Sequence, residues 1–245
     1  MFTHFSSILD DAFDTDDNFK IAINTCDSEC LSLDSIGSYP GVSTSSGISR
    51  MTIIDESYDW VCKWCYCDDA LGNACERELK FYNAAKKFGI EDMFVEVHYL
   101  GTYSRHYETY NVNFWEFEKA EKDTYSREEY DIEMELYAYK KVQCSPWIHD
   151  DYMRLPDKDK SLIKDSHSPL AGRSVDVAAA FLRGYGRDKY LRLNDFCIEN
   201  RINDLHTGNI GYMNGTIVLI DYAGYFDEGD YYSYEERSSS RDYSR

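Results

Sequence analysis

The sequence predicts an α+β fold, and three observations carry that prediction. Strand-like segments rich in β-branched and aromatic residues crowd the first half around a single amphipathic helix. Helical periodicity dominates the second half. Near the C-terminal end, an Asn-Gly pair joins two short apolar runs as a hairpin.

The elements follow in order. Phe2, Phe5, Ile8 and Leu9 form a short amphipathic stretch, and the acidic run from Asp10 to Asp17 behind it reads as solvated surface. Residues 30–36 alternate like a half-buried strand, residues 37–47 have loop chemistry, and residues 48–54 read as a second strand. Residues 60–66 form a third strand, with Lys63 flanked by apolar side chains. A helix follows from about Asn73 to Phe88. On it Glu78, Phe81, Tyr82 and Ala85 fall at i, i+3, i+4 and i+7, so a carboxylate sits in an apolar stripe while Glu76 points away. Residues 93–100 and 110–117 supply two more strands, with 101–109 as their hairpin. Residues 125–143 are expected to be a charged helix striped by Ile132, Leu136, Tyr139 and Val142, and 145–159 a loop. Two further helices, 173–184 and about 187–199, deliver the chain to Asp204.

Composition bounds the function. With 245 residues, 43% of them hydrophobic and 16% aromatic, the chain can bury a core as one large domain or two lobes. Its 26 Lys plus Arg against 45 Asp plus Glu give a formal net charge of −19. That argues against nucleic acid as a partner; it could favour basic protein surfaces, and it equally serves solubility. No apolar run approaches the ~18 residues of a membrane helix, and the acidic N-terminus does not read as a signal peptide, so the expectation is a cytoplasmic protein without a membrane partner. The eight cysteines then read as reduced thiols. Cys62 and Cys65 would point to opposite faces of their strand, a poor geometry for one zinc ion.

The chemistry concentrates in residues 202–224. The type I′ turn at Asn214-Gly215 sets strands at about 210–213 and 216–220, with Met213 facing Thr216 and Ile210 facing Leu219. Asn209 and Asp221 then lie near each other beyond the open end of the ribbon, with Asp204 a short loop upstream. An amide oxygen and a carboxylate suit a hard cation such as Mg²⁺.

Asp204-Leu-His-Thr-Gly-Asn209, a hairpin, then Asp221-Tyr-Ala-Gly224 resembles the catalytic loop and metal-binding triplet of protein-kinase-like phosphotransferases. Lys63 with Glu78 resembles the lysine and helix glutamate of the same family. The nearest likeness is to the minimal Ser/Thr protein kinases encoded by lytic bacteriophages. The resemblance implies a bilobal fold: an N-lobe over 1–118 with five strands and one helix, and a truncated, mainly helical C-lobe over 119–228. A Ser/Tyr/Arg tail over 229–245 would be disordered. It further implies ATP and Mg²⁺ as cofactors, Asp204 as the residue orienting the acceptor hydroxyl, Asn209 and Asp221 as metal ligands, and Lys63, aligned by Glu78, on the α- and β-phosphates. Gly37, Gly41 and Gly47 would cover the phosphates, although their spacing departs from Gly-x-Gly-x-x-Gly, and Glu118 and Ala120 would line the adenine pocket.

Other departures matter. Ile202 and Asn203 replace the usual His-Arg before the catalytic aspartate, so other contacts must brace the loop. His206 stands where protein kinases carry a lysine; it would offer phosphate a hydrogen bond, or would simply brace the loop. Tyr222-Ala223 replaces Phe-Gly, and few residues follow Asp221. Three functions remain open: a phage-type kinase of host proteins of the transcription or translation machinery, with autophosphorylation at Ser233, Ser238, Ser239 or Ser240; a small-molecule kinase; or an acidic pseudokinase or decoy that blocks a host protein.

Overall fold

The computed structural model describes residues 1–15, 41–46, 50–65, 73–111, 126–144, 148, 150–165, 168–172, 174–203 and 205–223. The expected strand at 30–36, most of the one at 110–117, and the tail lie outside them. The chain is mixed α and β and forms two compact units, Met1–Cys67 with His98–Ala138, and Asp68–Val97 with Tyr139–Arg245. These cut across the expected boundary at residue 118. Residues 126–138 join the first unit, and the helix carrying Glu78 belongs to the second.

The first unit is built on a five-stranded antiparallel sheet of β1 (Val42–Ser46), β2 (Arg50–Asp55), β3 (Trp60–Cys65), β4 (Val97–Asn111) and β5 (Ser126–Lys140), in the order β1-β2-β3-β5-β4. Residues 97, 139 and 140 at the strand ends count with the second unit. Alternation turns Met51 and Ile53 of β2, Cys62 and Trp64 of β3, and Met134 and Leu136 of β5 to one buried cluster. Helix α1 (Phe2–Thr15) closes that cluster with Phe5, Ile8 and Leu9, spaced i, i+3, i+4. Polar contacts fix the helix in place. The His4 ring lies 3.0 Å from Asp55 Oδ2 and stacks on Tyr58, and Asp10 accepts a 2.8 Å bond from the Tyr103 hydroxyl. Asp10 thus has a structural partner that the solvated reading of the acidic run did not foresee.

Three expectations are corrected. Residues 42–46 are a strand paired in register with β2, because Ser and Thr tolerate an edge position as well as a loop. The stretch 101–109 does not turn but continues β4 without a break, since its tyrosines and threonines are strand formers. The largest correction concerns 125–143, which is the strand β5. Asp131, Glu133 and Glu135 are exposed while Met134 and Leu136 are buried, a period of two that the helical stripe of Ile132, Leu136, Tyr139 and Val142 had masked.

The second unit opens with α2 (Ala74–Phe88). Asn73 caps it by accepting the Glu76 N–H at 3.1 Å, and Gly89, at φ +68°, ends it. A 3-10 turn over Glu91–Met93 leads towards β4. The helix α3 (Asp157–Asp165) begins inside the expected 145–159 loop, followed by the short α4 (Pro169–Gly172). The two expected helices emerge as α5 (Val175–Glu199), interrupted at Gly186, whose φ of +77° and ψ of +174° are not helical. A three-stranded sheet, β6 (Gln143–Cys144), β7 (Ile210–Met213) and β8 (Thr216–Leu219), completes the unit. The hairpin has the expected register, Ile210 opposite Leu219 and Met213 opposite Thr216, with positive φ at both Asn214 and Gly215. Among the described residues no helix is long and apolar enough to cross a membrane.

The parity of β5 sets unequal substitution costs. Met134→Ala is expected to destabilise the protein by about 2–5 kcal/mol, whereas Glu133→Ala stays within about 0.5 kcal/mol of the parent. Urea unfolding of both variants checks it; a helix with the expected stripe would not separate these neighbours in this way.

Candidate active site

The site is assembled from the end of α5 onwards. Asn200 N–H bonds to Phe196 O, and Arg201, at φ +54°, turns the chain out of the helix. Ile202 N–H then returns to Cys197 O at 2.8 Å, and the side chains of Ile202 and Leu205 are buried. The brace that sequence reasoning required for this loop is therefore apolar packing plus a backbone bond. Asp204, between these two anchors, lies outside the described residues.

His206 caps the next turn. Its Nδ1 accepts the Gly208 N–H at 3.0 Å. A Cβ on Gly208 would lie 2.9 Å from the His206 ring, which explains a glycine there. Of the two roles open to His206, the observed one is bracing the loop. Asn209 N–H bonds to His206 O, and Asn209 itself is buried.

Asn209 O accepts the Ile220 N–H at 3.0 Å, extending the β7–β8 ladder by one pair beyond Ile210 and Leu219. Asp221 follows Ile220 directly, so the two expected metal ligands lie just beyond the open end of the hairpin, one on each strand's continuation. Both offer oxygen, the donor type that Mg²⁺ prefers, and Mg²⁺ customarily retains waters and substrate phosphates as its other ligands. Among the described residues no cluster of three or more His, Cys, Asp or Glu stands ready for a metal. An amide oxygen and a carboxylate are donors that a hard cation accepts.

Glu78 joins this segment. Fully buried on α2, its Oε1 accepts the backbone N–H groups of Tyr222 at 2.9 Å and Ala223 at 3.3 Å. Its Oε2 accepts the Tyr139 hydroxyl at 2.6 Å. The stripe read from sequence holds: Tyr82 and Ala85 are buried with Glu78, while Glu76 is exposed and pairs with Lys80 at 2.9 Å. Burial pushes the Tyr82 phenol up to about 12, aided by the charges of Glu96 and Glu91. The Tyr222 ring is buried edge-on to Phe94, and its hydroxyl donates to Val95 O at 3.2 Å.

Lys63 lies in the first unit, on β3 opposite Thr52 and half-buried, with Val61 and Cys65 on the sheet face away from Cys62 and Trp64. Cys62 is buried and Cys65 partly exposed, as the strand parity requires, and burial pushes the Cys62 thiol up. Gly41 sits at φ +78° where β1 begins, its carbonyl accepting the Glu56 N–H at 2.9 Å. That is the opposite end of β1 from the β1–β2 connection. Gly37, Gly47, Glu118 and Ala120 lie outside the described residues.

Sequence reasoning missed Tyr139, which it placed on an apolar helix stripe. The alternation over 131–136 signals the strand, but nothing local marks Tyr139 as the partner of Glu78. No family model, curated protein or solved structure matches this chain.

Tyr139→Phe removes one donor from a buried carboxylate while keeping the ring. Its expected cost is about 1–3 kcal/mol in urea unfolding; an unchanged midpoint would show that the bond contributes nothing.

Proposed function

We propose that this protein is an ATP- and Mg²⁺-dependent protein kinase, directed at serine or threonine, of the kind encoded by bacteriophages, acting on host proteins in the bacterial cytosol. The observation that carries the reading is the Glu78 carboxylate bound to the two amides that follow Asp221. A buried acid on the helix after the lysine strand thereby fixes the backbone of the expected metal triplet, and the hairpin ladder fixes Asn209 beside it. A structural hairpin alone would require no buried carboxylate aimed at the residues after its last strand.

The chemistry proposed for each residue follows the resemblance of the sequence motifs. Phosphoryl transfer depends on positioned reactants and on positive charge around the migrating group more than on covalent chemistry by the protein. Asp204, in the loop braced by Ile202 and Leu205, orients the acceptor hydroxyl and takes its proton. Asn209 and Asp221 hold the cation, which when bound neutralises charge on the nucleotide's phosphates. Lys63 holds the α- and β-phosphates from its strand, and Glu78 keeps the Asp221 backbone in the orientation that presents its carboxylate. Its acceptors are host proteins, and the net charge of −19 favours encounter with basic surfaces on them.

Purified protein is incubated with Mg²⁺ and γ-labelled ATP, alone and with bacterial lysate, followed by phosphosite mapping. Label is expected on a few lysate proteins or on the chain's own serines. Asp221→Ala is expected to lower transfer by about 100- to 1,000-fold. Adding Asn209→Ala should not multiply that loss, because the two act on one cation. Undiminished lysate binding by a folded Asp221→Ala variant, with no transfer by the parent, would identify an acidic decoy instead.

A further inference from the structure

A pocket of about 490 Å³ opens between the turn before α3 and the break in α5. Arg154, Lys158, Arg183 and Arg187 line it, with Asp159 the one acid among them, over an apolar floor that includes Leu155 and Leu182. Four cations around a single concavity are unexpected in a chain of net charge −19. Among the described residues the side chains of Arg154, Lys158 and Arg187 form no ion pair, while Arg183 is held by the buried carboxylate of Asp151.

The geometry points to a binding site for a phosphomonoester group. Such a group carries about −1.5 to −2 charges at pH 7 and three acceptor oxygens, and arginine forks match that arrangement of oxygens. A single compact pocket suits one phosphate, whereas a polyanion such as nucleic acid would meet the acidic remainder of the surface.

The walls are set by the backbone. Asp176 accepts the Tyr152 N–H at 2.8 Å, and Leu155 N–H returns to Tyr152 O, fixing the turn that carries Arg154. Gly186 breaks α5 between Arg183 and Arg187. A Cβ there would meet nothing within 4 Å, so the backbone is open to an approaching anion. The neighbouring Gly184 lies against Thr216 and Ile217 at the turn end of β8, the end away from Asp221. The pocket is therefore distinct from the candidate active site, and its assignment does not depend on kinase activity.

The test uses the isotope-labelled full chain at constant ionic strength. Inorganic phosphate, a short phosphoserine peptide and its unphosphorylated twin are titrated while backbone amide signals are followed. Saturable shifts are expected at residues 154–158 and 183–187 with both phosphate-bearing probes. The combined Arg154→Ala, Lys158→Ala and Arg187→Ala variant should weaken binding by about ten-fold or more. The combined Lys80→Ala, Lys86→Ala and Lys87→Ala variant removes the same charge from α2 and should leave binding unchanged. Tighter binding of the phosphopeptide than of phosphate would make the source a phosphorylated protein, and equal binding a small phosphate; either supports the site. Equal loss in the two triple variants, equal binding of the unphosphorylated twin, or an absence of saturable shifts at these residues would overturn it.

Discussion

The second unit depends on one buried carboxylate. A carboxyl group taken out of water loses its solvent hydrogen bonds, and Glu78 replaces them with the hydroxyl of Tyr139 and the amides of Tyr222 and Ala223. These donors come from two parts of the sequence, the end of β5 and the segment after β8, and meet on a carboxylate carried by α2. A carboxylate with two oxygens can accept from all of them at once, which an apolar residue at the same place could not do. The bond to Tyr139 orders the strand end, and the bonds to Tyr222 and Ala223 order the residues that carry Asp221. The two oxygens that satisfy these buried donors thereby also hold the backbone that follows Asp221.

Around that point, aromatic packing supplies the rigidity. Phe94 lies edge-on to both Phe196 and Tyr222, and Phe88 also meets Phe196, so the exit of α2, the last turns of α5 and the residue after Asp221 share one cluster. Tyr185 donates to both Asp92 O and Ile217 O, and Val95 N–H bonds to Leu219 O, which lash the hairpin to the segment between α2 and β4. The loop from Ile202 to Asn209 hangs between this cluster and the ladder. With Ile202 and Leu205 buried and His206 closing the next turn, it needs no arginine brace of its own.

The electrostatics divide along the surface. Acidic residues dominate the composition, yet the cations at the α5 break are gathered rather than dispersed. Sequence alone offers little warning of this, because Arg154 and Lys158 are separated from Arg183 and Arg187 by two helices. Only the fold brings them to one concavity, and local charge, not net charge, governs what binds at that distance when salt screens beyond about 8 Å.

Local chemistry was legible where it needed no partner. The Asn214-Gly215 turn, the register of β7 with β8, the Glu78 stripe and the interruption of α5 were all readable, because each is fixed by dihedral preference or by side-chain periodicity within a few residues. Residues 126–140 were not. Their spacing fits both periods over a short window, and pairing with β3 and β4 decides between them through hydrogen bonds to residues distant in sequence. The same reason hid Tyr139: a tyrosine facing a glutamate 61 positions away leaves no local trace. What the sequence by itself determined was the set of turns and faces. Which buried donors meet the Glu78 carboxylate, and which cations share a pocket, was decided by tertiary structure alone, since both depend on bringing separate chain segments within a few ångströms.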